Sequence, residues 1–234
     1  MNQPIFKGAC TALITPFTDN GIDLPAFERL IDSQIQSGIQ ALVVLGTTGE
    51  PPTMTPQEKK AAIQCCVSTA AGRVPIIAGA GSNNTAAAVE AAELARSLKA
   101  DAVLSVTPYY NKCTPKGLHE HYQAIASVGL PVIIYNVPGR TGLNITPPVL
   151  ESLADISGLV AVKEASGNID QLTDMISRCG ERYTFYSGED GLVLPMLALG
   201  AQGVISVLSN ILPADMQKLC ELFFGKEIQQ AADL

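Results

Sequence analysis

Short runs of apolar, often β-branched residues recur along the whole chain, and each is followed by a turn signal and then by a stretch of apolar positions at helical spacing. Eight such runs occur: Gly8 to Phe17, Ala41 to Gly46, Pro75 to Gly81, Ala102 to Pro108, Val132 to Pro138, Val160 to Ser166, Tyr183 to Gly188 and Gly203 to Leu208. Their continuous apolar character, without strict alternation, is what strands show when both faces are covered, as in a parallel sheet. The intervening stretches carry helix start signals. Thr55-Pro56-Gln57-Glu58 spells a capping box with Pro at the first helical position, and Thr114-Pro115 and Thr146-Pro147 repeat the Thr cap and Pro start. Between Pro25 and Ser37, residues Phe27, Leu30, Ile31 and Ile35 make one apolar stripe, with Glu28, Arg29 and Asp32 off it. Strands alternating with helices through short connections, with no break in composition, predict an α/β chain folded as one (β/α)8 TIM barrel over residues 1–234. An open doubly wound sheet is the alternative.

Composition narrows the functional classes. The chain has 234 residues, 47% of them hydrophobic and 16% charged, which argues against disorder, and no apolar run approaches the roughly 18 residues that span a bilayer. The formal net charge is −7 with Lys and Arg scattered, so there is no basic stripe of the kind that binds nucleic acid. Residues Met1 to Cys10 have neither the basic stretch nor the apolar core of a signal peptide, and a cytoplasmic location is expected. Six cysteines (Cys10, Cys65, Cys66, Cys113, Cys179, Cys220) form no C-x-x-C pair and read as reduced, mostly buried thiols.

In a barrel of parallel strands the chemistry lies at the C-terminal strand ends. Lys163 sits in Leu159-Val160-Ala161-Val162-Lys163-Glu164-Ala165, where an ammonium is hard to solvate. Burial lowers a lysine pKa and makes the amine a nucleophile of the Schiff-base kind; the plainer alternative is a lysine paired with Glu164. Tyr135 closes the apolar strand Val132-Ile133-Ile134-Tyr135, and its phenol is placed to pass a proton beside that lysine. Thr47, Thr48 and Tyr110 bring hydroxyls to two other strand ends, although ordinary packing or local turns also account for each of them. Gly46-Thr47-Thr48-Gly49 offers amides and hydroxyls to a carboxylate, and Arg140 offers a bidentate cation to a second one. Two anion sites flanking an amine and a phenol describe a site for keto acids.

Other chemistries fit less well. Gly79-Ala80-Gly81-Ser82-Asn83-Asn84 resembles the start of a dinucleotide fingerprint, but Asn84 replaces the third glycine and the strand is the third, not the first. No cofactor is expected. The only histidines, His119 and His121, lie two apart on an expected helix and hence on different faces, which gives no metal site. A phosphate site would need amide-rich loops after strands seven and eight, where Glu189 and Asp190 stand instead.

Four motifs in order, each at an expected strand end, carry a resemblance. Gly46-Thr47-Thr48-Gly49-Glu50, Thr107-Pro108-Tyr109-Tyr110-Asn111, Tyr135-Asn136-Val137-Pro138-Gly139-Arg140-Thr141-Gly142 and Val162-Lys163-Glu164-Ala165-Ser166-Gly167-Asn168 resemble the 4-hydroxy-tetrahydrodipicolinate synthase (dihydrodipicolinate synthase) family, from about Phe6 onward. The resemblance implies condensation of pyruvate with L-aspartate-4-semialdehyde in the diaminopimelate route to lysine. It implies Lys163 as the Schiff-base residue, Tyr135 as general acid and base, and Thr47 as the link from Tyr135 to Tyr110. Thr48 and the backbone of Ile205 would hold the pyruvate carboxylate, and Arg140 the carboxylate of the semialdehyde. The tyrosine matching Tyr110 reaches in from a neighbouring subunit in that family, so a homodimer or homotetramer is implied.

Departures accompany the match. Lysine-inhibited members carry histidines after the Gly-Glu pair and a glutamate at the start of the third helix; Pro56, Lys59 and Ala87 stand there, with Asn83 and Tyr109 kept, so lysine feedback is expected to be weak or absent. The family continues with C-terminal helices beyond the eighth unit, and that extension is expected to be missing. N-acetylneuraminate lyase and 2-keto-3-deoxy sugar-acid aldolases share the lysine and tyrosine and remain alternatives, as does a catalytically silent barrel acting as a binding or assembly module.

Overall fold

A computed structural model describes residues 3–234. Eight strands lie where the apolar runs predict them: β1 (Gly8–Ala12), β2 (Ala41–Val44), β3 (Ile76–Gly79), β4 (Ala102–Val106), β5 (Val132–Asn136), β6 (Leu159–Glu164), β7 (Thr184–Ser187) and β8 (Gly203–Ser206). All neighbours are parallel, and β1 pairs with β8 through Gly8↔Gly203 to Thr11↔Ser206 and with β2 through Cys10↔Ala41 to Ala12↔Val43. The sheet is therefore a closed barrel, and the open doubly wound alternative is excluded. The first strand is shorter than its apolar run. The chain leaves the barrel after Ala12, before Pro16, which has no N–H to give a ladder, and Phe17–Thr18 pairs with Gly21–Ile22 as a separate antiparallel hairpin.

Alternate strand residues serve two cores. Cys10, Ala12, Val43, Ile77, Leu104, Ile133, Ala161 and Ile205 pack together inside the barrel. Leu42, Val44, Val103, Ile134, Val162 and Val204 meet the helices outside. At the N-terminal end, Phe6 stacks on Tyr186 with ring centroids 4.1 Å apart, and the Tyr186 hydroxyl donates to the Phe6 carbonyl at 2.9 Å. These rings stop the foot of the barrel.

The helices begin as their caps dictate. In α1 (Leu24–Gln36), Phe27 and Ile31 of the apolar stripe are fully buried. The capping box of α2 (Pro56–Ala70) is complete: Thr55 accepts from the Glu58 N–H and the Glu58 carboxylate accepts from the Thr55 N–H. Asn84 caps α3 (Thr85–Ser97) and Thr114 caps α4 (Pro115–Ala126). Thr146 precedes α5 (Pro147–Glu151) but makes no side-chain cap bond, leaving Pro147 as the start signal that operates there. Asn168 caps α6 (Ile169–Cys179); α7 (Val193–Ala198), α8 (Pro213–Phe224) and α9 (Ile228–Asp233) complete the series.

Gly79 and Gly81 owe their identity to close packing rather than to a phosphate. A Cβ on Gly79 would lie 1.9 Å from the Leu45 carbonyl oxygen, and one on Gly81 2.5 Å from the Val106 nitrogen. Both obstacles are backbone, so neighbouring strand ends would have to part. Gly79→Ala is expected to cost about 1–3 kcal/mol or more in urea unfolding, whereas Gly191→Ala, whose Cβ meets nothing within 4 Å, stays near wild type.

Candidate active site

Lys163 and Tyr135 are partners in register across β5 and β6, both facing the barrel interior near its C-terminal end. The Lys163 Nζ lies over the Tyr135 ring, 4.3 Å from its centroid, with the two side chains 5% and 7% exposed. An ammonium there is drawn to the π-face of the ring but has almost no water. Burial therefore pushes the Lys163 pKa down to about 8, helped by the Arg140 charge and opposed by Asp190 and Glu189. At pH 7.4 a pKa near 8 leaves roughly one amine in five neutral, against about one in a thousand for a free lysine. Burial pushes the Tyr135 phenol up; Arg140 pulls it down and Glu189 reinforces the rise. At neutral pH the pair is a partly neutral amine beside a protonated phenol.

Glu164 does not pair with the lysine. Successive strand residues point to opposite faces, so its carboxylate lies behind the barrel wall, where it accepts from Asn136 Nδ2 at 2.8 Å and from the Ser166 N–H at 2.7 Å. The space around Lys163 is kept by Gly188, where a Cβ would stand 2.9 Å from the lysine Cε and 2.7 Å from the Ala165 Cβ. Cys10, on the interior face of β1, is held as a neutral thiol by burial.

The loops supply the remaining groups. Thr47 and Thr48 occupy a single 3-10 turn, Thr47–Gly49, that follows Leu45, whose φ is +58°. Arg140 is exposed on a helical turn, Pro138–Thr141, just beyond β5. Thr47, Tyr135, Arg140 and Tyr109 line a cavity of about 510 Å³, together with Lys59 and Ala87. Lys163, Thr48 and Ile205 are not among the lining residues, whereas Tyr135, whose ring lies under the Lys163 amine, is. Ile205 is buried on β8 opposite Cys10.

Tyr110 does not join this group within one chain. Its φ of +71° turns the side chain outward, 89% exposed, while its N–H donates to the Thr141 carbonyl at 3.1 Å. Tyr109, itself partly exposed, lines the cavity, a difference that two adjacent tyrosines in a sequence do not disclose. Asp190 was legible only as a charge that repels phosphate. It accepts from the Val207 and Leu208 N–H groups at 3.2 and 2.9 Å, so a carboxylate of the chain itself occupies amides that an anion would need. The histidines are engaged separately, His119 with Asp155 at 3.0 Å and His121 with Thr85 at 2.9 Å.

Comparison with known proteins bears directly on this site. The model of the dihydrodipicolinate synthetase family matches residues 5–234. The chain belongs to that family. It is 50% identical to the 4-hydroxy-tetrahydrodipicolinate synthase of Acetivibrio thermocellus, over 99% of this chain and 79% of that protein. The enzyme of the same description from Clostridium perfringens is 47% identical, over 98% of this chain and 79% of the relative. Among solved structures, the chloride-inhibited dihydrodipicolinate synthase from Acinetobacter baumannii complexed with pyruvate superposes with a TM-score of 0.94 at 40% identity, covering 97% of this chain and 79% of that one. The dihydrodipicolinate synthetase barrel is thus present with all eight strands, across about four fifths of the length of these relatives. No helix among its described residues is long and apolar enough to cross a membrane.

The depressed lysine pKa is directly measurable. Trace acetylation of Lys163 by acetic anhydride, followed by peptide mass spectrometry, is expected to reach its half-maximal rate near pH 8, because only the neutral amine reacts. Free Nα-acetyl-lysine carried in the same reaction as an internal standard should keep accelerating towards pH ~10.4. A Lys163 profile that follows that standard would contradict the burial argument.

Proposed function

We propose that the chain is a 4-hydroxy-tetrahydrodipicolinate synthase that joins pyruvate to L-aspartate-4-semialdehyde through an imine on Lys163. The observation that carries this reading is the buried Lys163 amine over the Tyr135 ring, in a chain half identical to an enzyme of that description. The neutral amine adds to the keto carbon of pyruvate, and the resulting carbinolamine expels its hydroxyl as water once a proton arrives from the Tyr135 phenol. The imine withdraws electrons from the methyl carbon, which loses a proton to the phenolate and becomes an enamine nucleophile. That carbon attacks the aldehyde carbon of the semialdehyde, and the aldehyde oxygen takes up a proton. The free amino group of the product then adds to the imine carbon, closing the ring and releasing Lys163.

In this reading Thr48 and the Ile205 backbone hold the pyruvate carboxylate, and Arg140 receives the carboxylate of the semialdehyde in a bidentate pair. Thr47, which shares the cavity with Tyr135, passes protons between Tyr135 and a Tyr110 contributed by a second copy. Support for that last step is the outward Tyr110 side chain on a backbone anchored to Thr141. The working form is then at least a homodimer. The six free cysteines suit a reducing cytoplasm.

Incubation with pyruvate followed by borohydride should leave a reduced adduct on the Lys163 peptide, absent from Lys163→Ala. Tyr135→Phe should lower condensation by about 10²–10⁴-fold while the protein stays folded. A wild-type chain without adduct would mean a silent barrel. Adduct formation with faster turnover of N-acetylneuraminate than of the semialdehyde would move the chain to the sugar-acid lyases.

The cavity also bears on feedback. Lys59 and Ala87 line it beside Tyr109, so a free lysine would meet a like charge and find no carboxylate at position 87. Activity is expected to be unchanged by millimolar lysine at saturating pyruvate. A clear inhibition curve would overturn that expectation.

A further inference from the structure

Behind the two reactive side chains lies a second pair. Asn136 and Glu164 follow Tyr135 and Lys163 in their strands and are themselves partners in register, one step further along the β5–β6 ladder. Because strand side chains alternate, this pair projects to the helix side of the wall. Both are buried, at 0% and 3% exposure. Asn136 Nδ2 donates to Glu164 Oε2 at 2.8 Å and to Asn144 Oδ1 at 3.0 Å, and Asn136 Oδ1 accepts from the Ile145 N–H at 2.9 Å. The other Glu164 oxygen accepts from the Ser166 N–H at 2.7 Å. Asn144 in turn donates to Gln171 Oε1, on α6, at 2.7 Å.

We propose that Glu164 and Asn136 are positioning residues that clamp β5 to β6, and so set Tyr135 and Lys163 against each other. The inference rests on the imine reading above. One residue earlier in each outward row stand Ile134 and Val162, which bury apolar surface without any polar group. A similar apolar pair at 136 and 164 would satisfy the need for burial, and a buried carboxylate is weak grounds for stability as such. What the polar pair adds is direction. Glu164 is held by Asn136 on one strand and by Ser166 just beyond its own, and a strand that slid or splayed would leave a buried carboxylate short of a partner. The same pair reaches the catalytic loop, because the Asn136 bond to Ile145 fixes the far end of the segment that begins with the Pro138–Thr141 turn and carries Arg140. The backbone of Tyr110 hangs from that turn through Thr141. One side-chain pair behind the wall therefore orients the amine, the phenol and the loop cation together.

The test measures the rate of borohydride-trapped adduct at saturating pyruvate, in protein whose near-UV circular dichroism is unchanged. Glu164→Gln keeps the shape but turns one acceptor into a donor facing a donor. It is expected to slow trapping at least about tenfold, since small misplacements of reacting groups cost rates of this order. Combining it with Asn136→Asp reverses the direction of the 136–164 bond and satisfies it again, while the donation to Asn144 is lost, so the double variant should recover to within about threefold of the wild-type rate. Gln217→Leu removes a buried bond to the Ala9 N–H at the opposite end of the barrel and should lower Tm without slowing the trapping. Asn144→Ala, which removes only an exposed partner of the clamp, should slow it by about threefold and decides the matter if Glu164→Gln does not fold. Wild-type trapping rates in folded Glu164→Gln, or in Asn144→Ala where the first variant is lost, would overturn the clamp alone. Absence of any adduct in the wild type would overturn the imine reading, and the clamp with it, before a variant is compared.

Discussion

Water is kept from one amine, and the closed sheet is what keeps it away. With β1 paired on both sides, no strand edge remains to be hydrated, and the interior is filled by Ile77, Leu104, Ile133, Ala161 and Ile205 up to the level of Lys163. The lysine is surrounded by apolar atoms and one aromatic face, which penalise its charge. An open sheet built from the same strands would give the amine solvent along one side and return it to the ordinary lysine range. Barrel closure is therefore an electrostatic device as well as a mechanical one.

Charges at the mouth adjust what burial sets. Glu189 raises the pKa of both Lys163 and Tyr135, and Arg140 lowers both. The two groups thus respond in the same sense to each neighbouring charge, and the offset between amine and phenol is governed mainly by how deeply each is buried. Acidic side chains close to the lysine fit the negative balance of the chain, yet Asp190 is not simply a surface charge: it joins the β7 and β8 loops through two backbone amides.

The strands were legible because a strand covered on both faces leaves an apolar run that no periodic helix imitates. Their ends were less so: Gly8 to Phe17 read as one element, whereas the ladder stops at Ala12. Closure itself left no mark in local sequence, since the β1–β8 pairing joins residues at opposite ends of the chain. Lys163 and Tyr135 stood out as ionisable groups within apolar strands. The part of Glu164 did not, because a carboxylate next to a lysine reads as its partner until the alternation of faces puts them on opposite sides of a wall. The outward course of Tyr110 turned on one backbone angle, and the engagement of Asp190 on a contact with residues 17 and 18 positions away. Gly79 and Gly81 were conspicuous, but the close approach that demands them exists only once strands stand side by side.

The stacked rings of Phe6 and Tyr186 have a consequence for traffic. A tube stopped at its foot is a cul-de-sac, so whatever reaches Lys163 must come and go by the loop-lined end. On the imine reading proposed above, the reactant bonded to the lysine has to be seated before the next one fills the passage above it, and the water shed on the way must leave past the newcomer's place. Order of arrival is thus imposed by plumbing, with no moving part required.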